Sequence, residues 1–296
     1  MQVNQLEVNT PQLNKQALKR NQRKLFIRRF LTNPSVTFGS IILIVIVVVG
    51  LFAPIIATHD PYDIHPTERL SAPSSEFFMG TDNLGRDLFS RVVYGTQVSM
   101  YVGLSVAAIS AFFGLLIGLY SAYYRPLDHV LMRFADGLMA FPPILLAIAI
   151  MAAMGPNPTN VILALSVVMI PTVARVIRSA ALVIKEQTYI EVLKAQGAKS
   201  FRVIWRHIAP NTLSHLIVQL TYVFAISIII EASLSFLGAG IPAPTPSWGN
   251  IIYEGKSVLH SAWWMTIFPG AFIVMAVLAL NLFGDGLRDL LDPHRK

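Results

Sequence analysis

The feature that most limits the fold of this chain is a set of long apolar runs without ionisable residues. Val36 to Thr58, Val98 to Tyr124 and Gly137 to Ala174 contain no Asp, Glu, Lys or Arg. A helix crossing the ~30 Å hydrocarbon core of a bilayer needs about 20 mostly apolar residues. The first two runs are therefore read as single spans. The third is too long for one helix, and Gly155-Pro156-Asn157-Pro158 divides it with strong turn signals. Its halves give a third span over about Arg133–Met154 and a fourth over about Thr159–Ser179. Further runs at His215–Gly238 and Met265–Gly286 bring the number to six. An all-α membrane protein is expected.

Composition agrees, with 54% of the residues hydrophobic and only 13% charged, against about 25% charged in a soluble domain. A mean hydropathy of +0.58 makes a single water-bathed core untenable. Having no cysteine excludes disulfides, iron–sulfur clusters, thiolate zinc sites and cysteine nucleophiles. The net charge of +7 would suggest nucleic acid in a soluble protein, but its placement argues otherwise.

Lys and Arg number 7, 3, 2, 0, 7, 1 and 3 in the successive segments outside the spans. Cytoplasmic flanks carry the excess, so the alternation puts both termini and segment 181–213 inside. The basic tail, residues 1–35, is longer than the n-region of a cleavable signal peptide, so the first span, 36–58, is read as an uncleaved anchor. The tail sets topology and touches anionic membrane lipid, and its early Gln- and Asn-rich part is expected to be disordered.

Three stretches exceed what joining two helices requires. External segment 59–97 contains Gly80-Thr81-Asp82-Asn83-Leu84-Gly85-Arg86-Asp87. Its glycines bracket an Asp-Asn pair, which points to tight turns, with Asp82, Arg86 and Asp87 in a local ion-pair and hydrogen-bond network. A structured turn and a metal or ligand site are the two readings. In cytoplasmic segment 181–213, Gly197 breaks a helix-compatible stretch. Phe201, Ile204, Trp205 and Ile208 then recur at helical spacing, with Lys199, Arg202 and Arg206 on the other face and Pro210 as the stop. Such a basic amphipathic helix lies on a membrane or docks into another protein. In external segment 239–264, Pro242, Pro244 and Pro246 make a stiff loop, and the tryptophans read as interfacial anchors.

Catalytic motifs are missing from the sequence: no His-Glu-x-x-His, no Gly-x-Ser-x-Gly and no Walker A phosphate loop. One carboxylate, Glu231, falls within a span. An ionisable group at membrane depth is by default a functional candidate. It is placed beside a translocation path with Ser235 and the kinking Pro142, or else is hydrogen-bonded to neighbouring helices as a structural group.

Two sets of residues carry a family resemblance. Glu191, Ala195 and Gly197, with Pro210 thirteen residues beyond the glycine, resemble the EAA loop of ABC importer permeases, although Val192-Leu193 stands where that motif has alanines. Gly80 to Asp87, Leu234-Ser235-Phe236-Leu237-Gly238, Pro244-Thr245-Pro246-Ser247-Trp248-Gly249 and Gly284-Asp285-Gly286-Leu287-Arg288-Asp289 together resemble the second permease subunit of the dipeptide/oligopeptide/nickel importer family, the DppC/OppC type. The resemblance spans about residues 35–293.

It implies a type I ABC importer permease fold in a bacterial cytoplasmic (inner) membrane, with a five-helix core domain at 98–288 and a short tail at 289–296. It also implies a heterodimer with a homologous DppB/OppB-type permease, two ATPase subunits inside and an extracytoplasmic solute-binding protein outside. ATP and Mg2+ would bind in the ATPase subunits and no cofactor in this chain, which is then no enzyme. Glu191, Ala195, Gly197, Phe201, Arg202, Arg206 and Pro210 would couple the loop to the ATPase. Peptides are the expected cargo, with nickel-chelate, glutathione, opine or heme as alternatives. A stand-alone secondary transporter is the competing class, and it would need several buried charges for ion coupling.

Overall fold

A computed structural model describes residues 30–291 of the chain. The expected disorder of the early N-terminal tail and the last residues of the C-terminal tail fall outside it. The described residues form helices α1 Pro34–Leu51, α2 Ala53–Ile56, α3 Leu88–Tyr123, α4 Arg125–Met139, α5 Pro143–Met154, α6 Pro158–Lys185, α7 Thr188–Ala195, α8 Ser200–Val203, α9 Ala209–Phe236, α10 Trp248–Gly255 and α11 Trp264–Leu291. A π turn, Ile204–Ile208, joins α8 to α9. Five helical stretches are long and apolar enough to cross a bilayer, or six if the bent pair α4 and α5 counts as one.

The third span is where structure and expectation part most. Instead of one kinked helix, α4 and α5 meet at 93°. Pro143 is the first residue of α5, and its ring forces Pro142 out of the helical region, to φ −55° and ψ 130°. Two adjacent prolines thus end one helix and start the next. Twelve residues at 1.5 Å each make α5 about 18 Å long, too short to cross alone. The amphipathic α4 is tied to α6 by two ion pairs: Arg178 to Asp128 at 2.5 and 2.6 Å, and Arg175 to Asp136 at 2.6 Å.

Helix ends also differ from the apolar runs. α3 begins ten residues before the expected span because Asp87 caps it, accepting from the Ser90 N–H at 2.9 Å. Pro210 does not close the amphipathic segment, since Ser200–Phe236 is continuous. Proline removes one N–H and crowds the carbonyl four residues back. Just upstream the helix widens to a π turn, in which the Ala209 N–H bonds the Ile204 carbonyl.

α3, α6 and α9 pack together at the centre of the bundle, and α1 lies outside them against α11. α6 is the most enclosed of the spans. α1 is apolar all round, and Phe38, Ile41, Ile44 and Val45 stay exposed while only Val36, Gly39, Ile46 and Gly50 are buried. That pattern fits a helix whose outer face meets lipid. Its approach to α11 depends on missing side chains. A β-carbon on Gly39 would lie 2.8 Å from the Phe283 nitrogen, and one on Gly286 would lie 2.1 Å from Val36 Cγ2. Gly286→Leu is accordingly expected to push α1 off α11 and destabilise the protein by about 1–3 kcal/mol, read as earlier thermal unfolding in detergent.

Candidate functional site

The charge series assigns residues 181–213 to the inner end of the bundle. There α7 turns its Ile190 fully inward and leaves Glu191, Val192, Lys194 and Ala195 exposed. It stops at Gly197, which has φ +81°. The Gly197 N–H bonds the Lys194 carbonyl and the Ala198 N–H bonds the Leu193 carbonyl, each at 3.0 Å, the closing pair of a left-handed helix cap. No atom lies within 4 Å of where a β-carbon would sit on Gly197. Only backbone conformation requires glycine there.

The expected apolar face of the next stretch splits in two. Val203, Ile204 and Ile208 are buried, and Trp205 is half-buried. Phe201 instead points outward, 70% exposed, on the same surface as Arg202, Arg206 and Pro210. The spacing is helical, but the widened turn at Ile204–Ile208 rotates the downstream residues relative to Phe201. The result is an exposed surface of mixed aromatic and charged character on a buried backing of Ile190, Val203, Ile204 and Ile208.

The opposite end carries a buried knot. Asp82 is fully enclosed. Its Oδ1 accepts from the Leu84 and Arg86 N–H groups at 2.8 and 3.0 Å, and its Oδ2 accepts from Arg86 Nε at 2.6 Å. Arg91 approaches the same oxygen at 3.3 Å. Both guanidiniums also reach Glu254 on α10, Arg86 at 2.8 Å and Arg91 at 3.1 Å. Two cations and two carboxylates thus balance in one enclosed quartet, which ties the Gly80–Asp87 motif to segment 239–264.

Thr81 accepts from the Ser71 N–H at 2.8 Å and donates to the Glu68 carbonyl. Gly80 and Gly85 have φ +76° and +81°. A β-carbon on Gly85 would fall 1.8 Å from the His65 carbonyl oxygen. Among the described residues Asp87 pairs with no arginine; it caps α3 and accepts from Thr58 Oγ1 at 2.9 Å. The motif is a turn that locks segments 59–97 and 239–264 together, and among the described residues no group of three or more His, Asp or Glu is arranged to hold a metal ion.

Two of the tryptophans in segment 239–264 are not interfacial anchors. Trp248 is 0% exposed and its Nε1 donates to the Val92 carbonyl at 3.2 Å; Trp264 is 5% exposed and donates to the Thr81 carbonyl at 3.0 Å. Both belong to a buried apolar cluster with Leu88 and Val92, while Trp263 remains exposed. The sequence held a signal for Arg91, a charge just after a capping Asp. For Glu254, 163 residues away, it held none.

Glu231 is 0% exposed. Three hydroxyls donate to it: Ser99 on α3 at 3.2 Å, Ser235 one turn along α9 at 2.9 Å, and Ser247, the cap of α10, at 3.1 Å. Within the chain it is a structural node joining two spans to the outer helix. Ser235 belongs to that node and also accepts from the Ile241 N–H at 3.1 Å. Pro142 lies exposed at the break between α4 and α5.

Residues 114–296 match the family of binding-protein-dependent transport system inner membrane components, and residues 21–73 match the N-terminal TM domain of oligopeptide transport permease C. The chain is similar to a putative peptide transport system permease protein of Brucella abortus, at 47% identity over 272 residues covering 92% of each chain. It is similar to the dipeptide transport system permease protein DppC of Alkalihalophilus pseudofirmus, at 41% identity over 87% of this chain and 85% of the relative. It is also similar to the glutathione transport system permease protein GsiD of Pectobacterium atrosepticum, at 39% over 92% and 91%. In fold it resembles a chain of the crystal structure of the MetNI methionine ABC transporter in inward-facing conformations, with a TM-score of 0.55 and 21% identity over 69% of this chain and 98% of the other.

Proposed function

We propose, because the chain belongs to the family of binding-protein-dependent transport system inner membrane components, that it is one permease of a heterodimeric, ATP-driven importer of di- or oligopeptides. The family makes it a multi-pass inner-membrane permease subunit of an importer. The peptide cargo and the coupling route are our reading. One observation carries the coupling: segment 188–206 presents Glu191, Val192, Ala195, Phe201 and Arg202 outward on a backing of Ile190, Val203, Ile204 and Ile208. The sequence has no phosphate loop, so energy must arrive through a partner, and this is a surface a partner can push.

In this reading two ATPase subunits seat against the inner surface, a second permease completes the path, and a binding protein delivers solute outside. ATPase closure pulls on α7 and α8 and rocks the helices around a path between the two permeases. The likeness to a glutathione permease supports a second cargo, itself a tripeptide. Retention of solute by the cognate binding protein of the five-component system identifies which is carried.

Glu191→Lys reverses a charge on the exposed surface, and Gly197→Asp strains a backbone that only glycine adopts freely. Both are expected to insert normally yet lose ATPase association or solute-stimulated hydrolysis, with uptake down at least about tenfold, an apparent coupling of about 1.4 kcal/mol. Copurification and uptake unchanged in both variants would refute the coupling role.

A further inference from the structure

We propose that Tyr123, the last residue of α3, is the joint through which segment 188–206 drives the outer end of the molecule. The proposal rests on the reading of the chain as an importer permease and assigns that coupling a route. At the inner end, the Lys185 ammonium closes α6 and donates to the last carbonyls of α3, Ala122 at 2.7 Å and Tyr123 at 3.1 Å, where a cation also complements the helix dipole. Lys185 Nζ and Lys194 Nζ each lie 5.7 Å from the centre of the Tyr123 ring, within cation–π range. Lys194 belongs to α7, so α7 touches α3 through this ring. A second contact runs parallel to it, as Trp205 Nε1 donates to the Tyr120 hydroxyl at 3.5 Å.

At the outer end, α3 is bound to α10. The α3 groups are the Arg91 guanidinium, the Val92 carbonyl and the Ser99 hydroxyl. They meet Glu254, the Trp248 indole and the Trp248 N–H, the last at 3.3 Å. Between these ends α3 runs 36 residues without a proline, about 54 Å at 1.5 Å per residue. The other long paths are less direct: α6 carries Pro171, α11 carries Pro269, α9 is joined to α8 through the widened π turn at Ile204–Ile208, and α4 is separated from α5 by the 93° break. A displacement of α7 therefore reaches the outer helix through α3 with the least bending. Coupling of this kind is reciprocal, so solute-loaded binding protein outside must be felt at α7.

The test uses the assembled importer of both permeases, ATPases and binding protein, and compares hydrolysis with and without solute-loaded binding protein. Tyr123→Leu removes the ring and is expected to leave assembly and basal hydrolysis intact while lowering stimulation at least about tenfold, whereas Tyr123→Phe keeps the ring and restores it. Should Tyr123→Leu fail to assemble, Lys194→Met at an exposed position decides, with an expected loss of about threefold. Normal stimulation in wild type, Tyr123→Leu and Lys194→Met alike would overturn the joint alone. Failure of the wild-type chain to recruit any ATPase would overturn the importer reading and the joint with it.

Discussion

Arg91→Met is expected to destabilise the protein by about 3–5 kcal/mol, the range for removing one partner from a buried charge pair. Arg91 is 0% exposed and faces Asp82, also 0%, and Glu254, 12%. Methionine would fill much of the space but leave two carboxylates sharing Arg86. Asp82 has no access to water and Glu254 little, and α10 would lose the tie to α3 that Glu254 makes through Arg91. The external knot should loosen before the spans do, because the membrane helices keep their own hydrogen bonds. Limited proteolysis at residues 239–264 together with thermal unfolding in nanodiscs reads both effects. Arg91→Met with Glu254→Gln returns the site to one cation and one anion, and is expected to recover about half of the loss. Simple additivity of the two substitutions would contradict the quartet, since partners in one network couple.

Arg91 also shows where sequence reading reached its limit. Hydrocarbon thickness and the scarcity of charge make the apolar runs legible, and each run contains helix. The start of α3 was less legible because Ser90, Arg91 and Gln97 look like loop residues to a hydropathy argument, although Asp87 three residues before Ser90 is a cap signal. Asp82 and Arg86 are four apart, close enough to be paired by eye. Glu254 is not, because nothing local records which distant charge a buried arginine needs. For the tryptophans, composition supplied the wrong rule: an indole is placed at a membrane interface by default, yet Trp248 and Trp264 each found a buried carbonyl. At Pro142-Pro143 the break was legible and the 93° angle was not, since contacts such as those of α4 with Arg175 and Arg178, 39 and 50 residues on, are not recorded locally. The same limit applies inside, where helical spacing grouped Phe201 with Ile204 and Ile208, and a π turn that no spacing announces sent it outward.

Glu231 separates the two readings that the sequence left open. Each of its serine partners also serves as a backbone acceptor: Ser99 for Trp248, Ser235 for Ile241 and Ser247 for Asn250. Glu231→Ala would strand three enclosed hydroxyl protons and open a cavity. Unsatisfied buried groups cost about 1–3 kcal/mol each, but partners found in the membrane-unfolded state reduce this to an average near 0.6 kcal/mol per bond. A total of about 2–4 kcal/mol is expected, read as lower thermal stability and as a freed segment 241–250. Glu231→Gln keeps the acceptor oxygen that serves Ser235 and Ser247 and displaces only the Ser99 proton, so stability should fall by about 1 kcal/mol or less. A structural node therefore predicts uptake by Glu231→Gln within about twofold of wild type, about 0.4 kcal/mol, once protein amounts are matched. A carboxylate that works beside the moving solute predicts the opposite pattern, normal stability with uptake lost in the glutamine variant. The three hydroxyls around Glu231 favour the first outcome, because they occupy the oxygens that a passing solute would have to use.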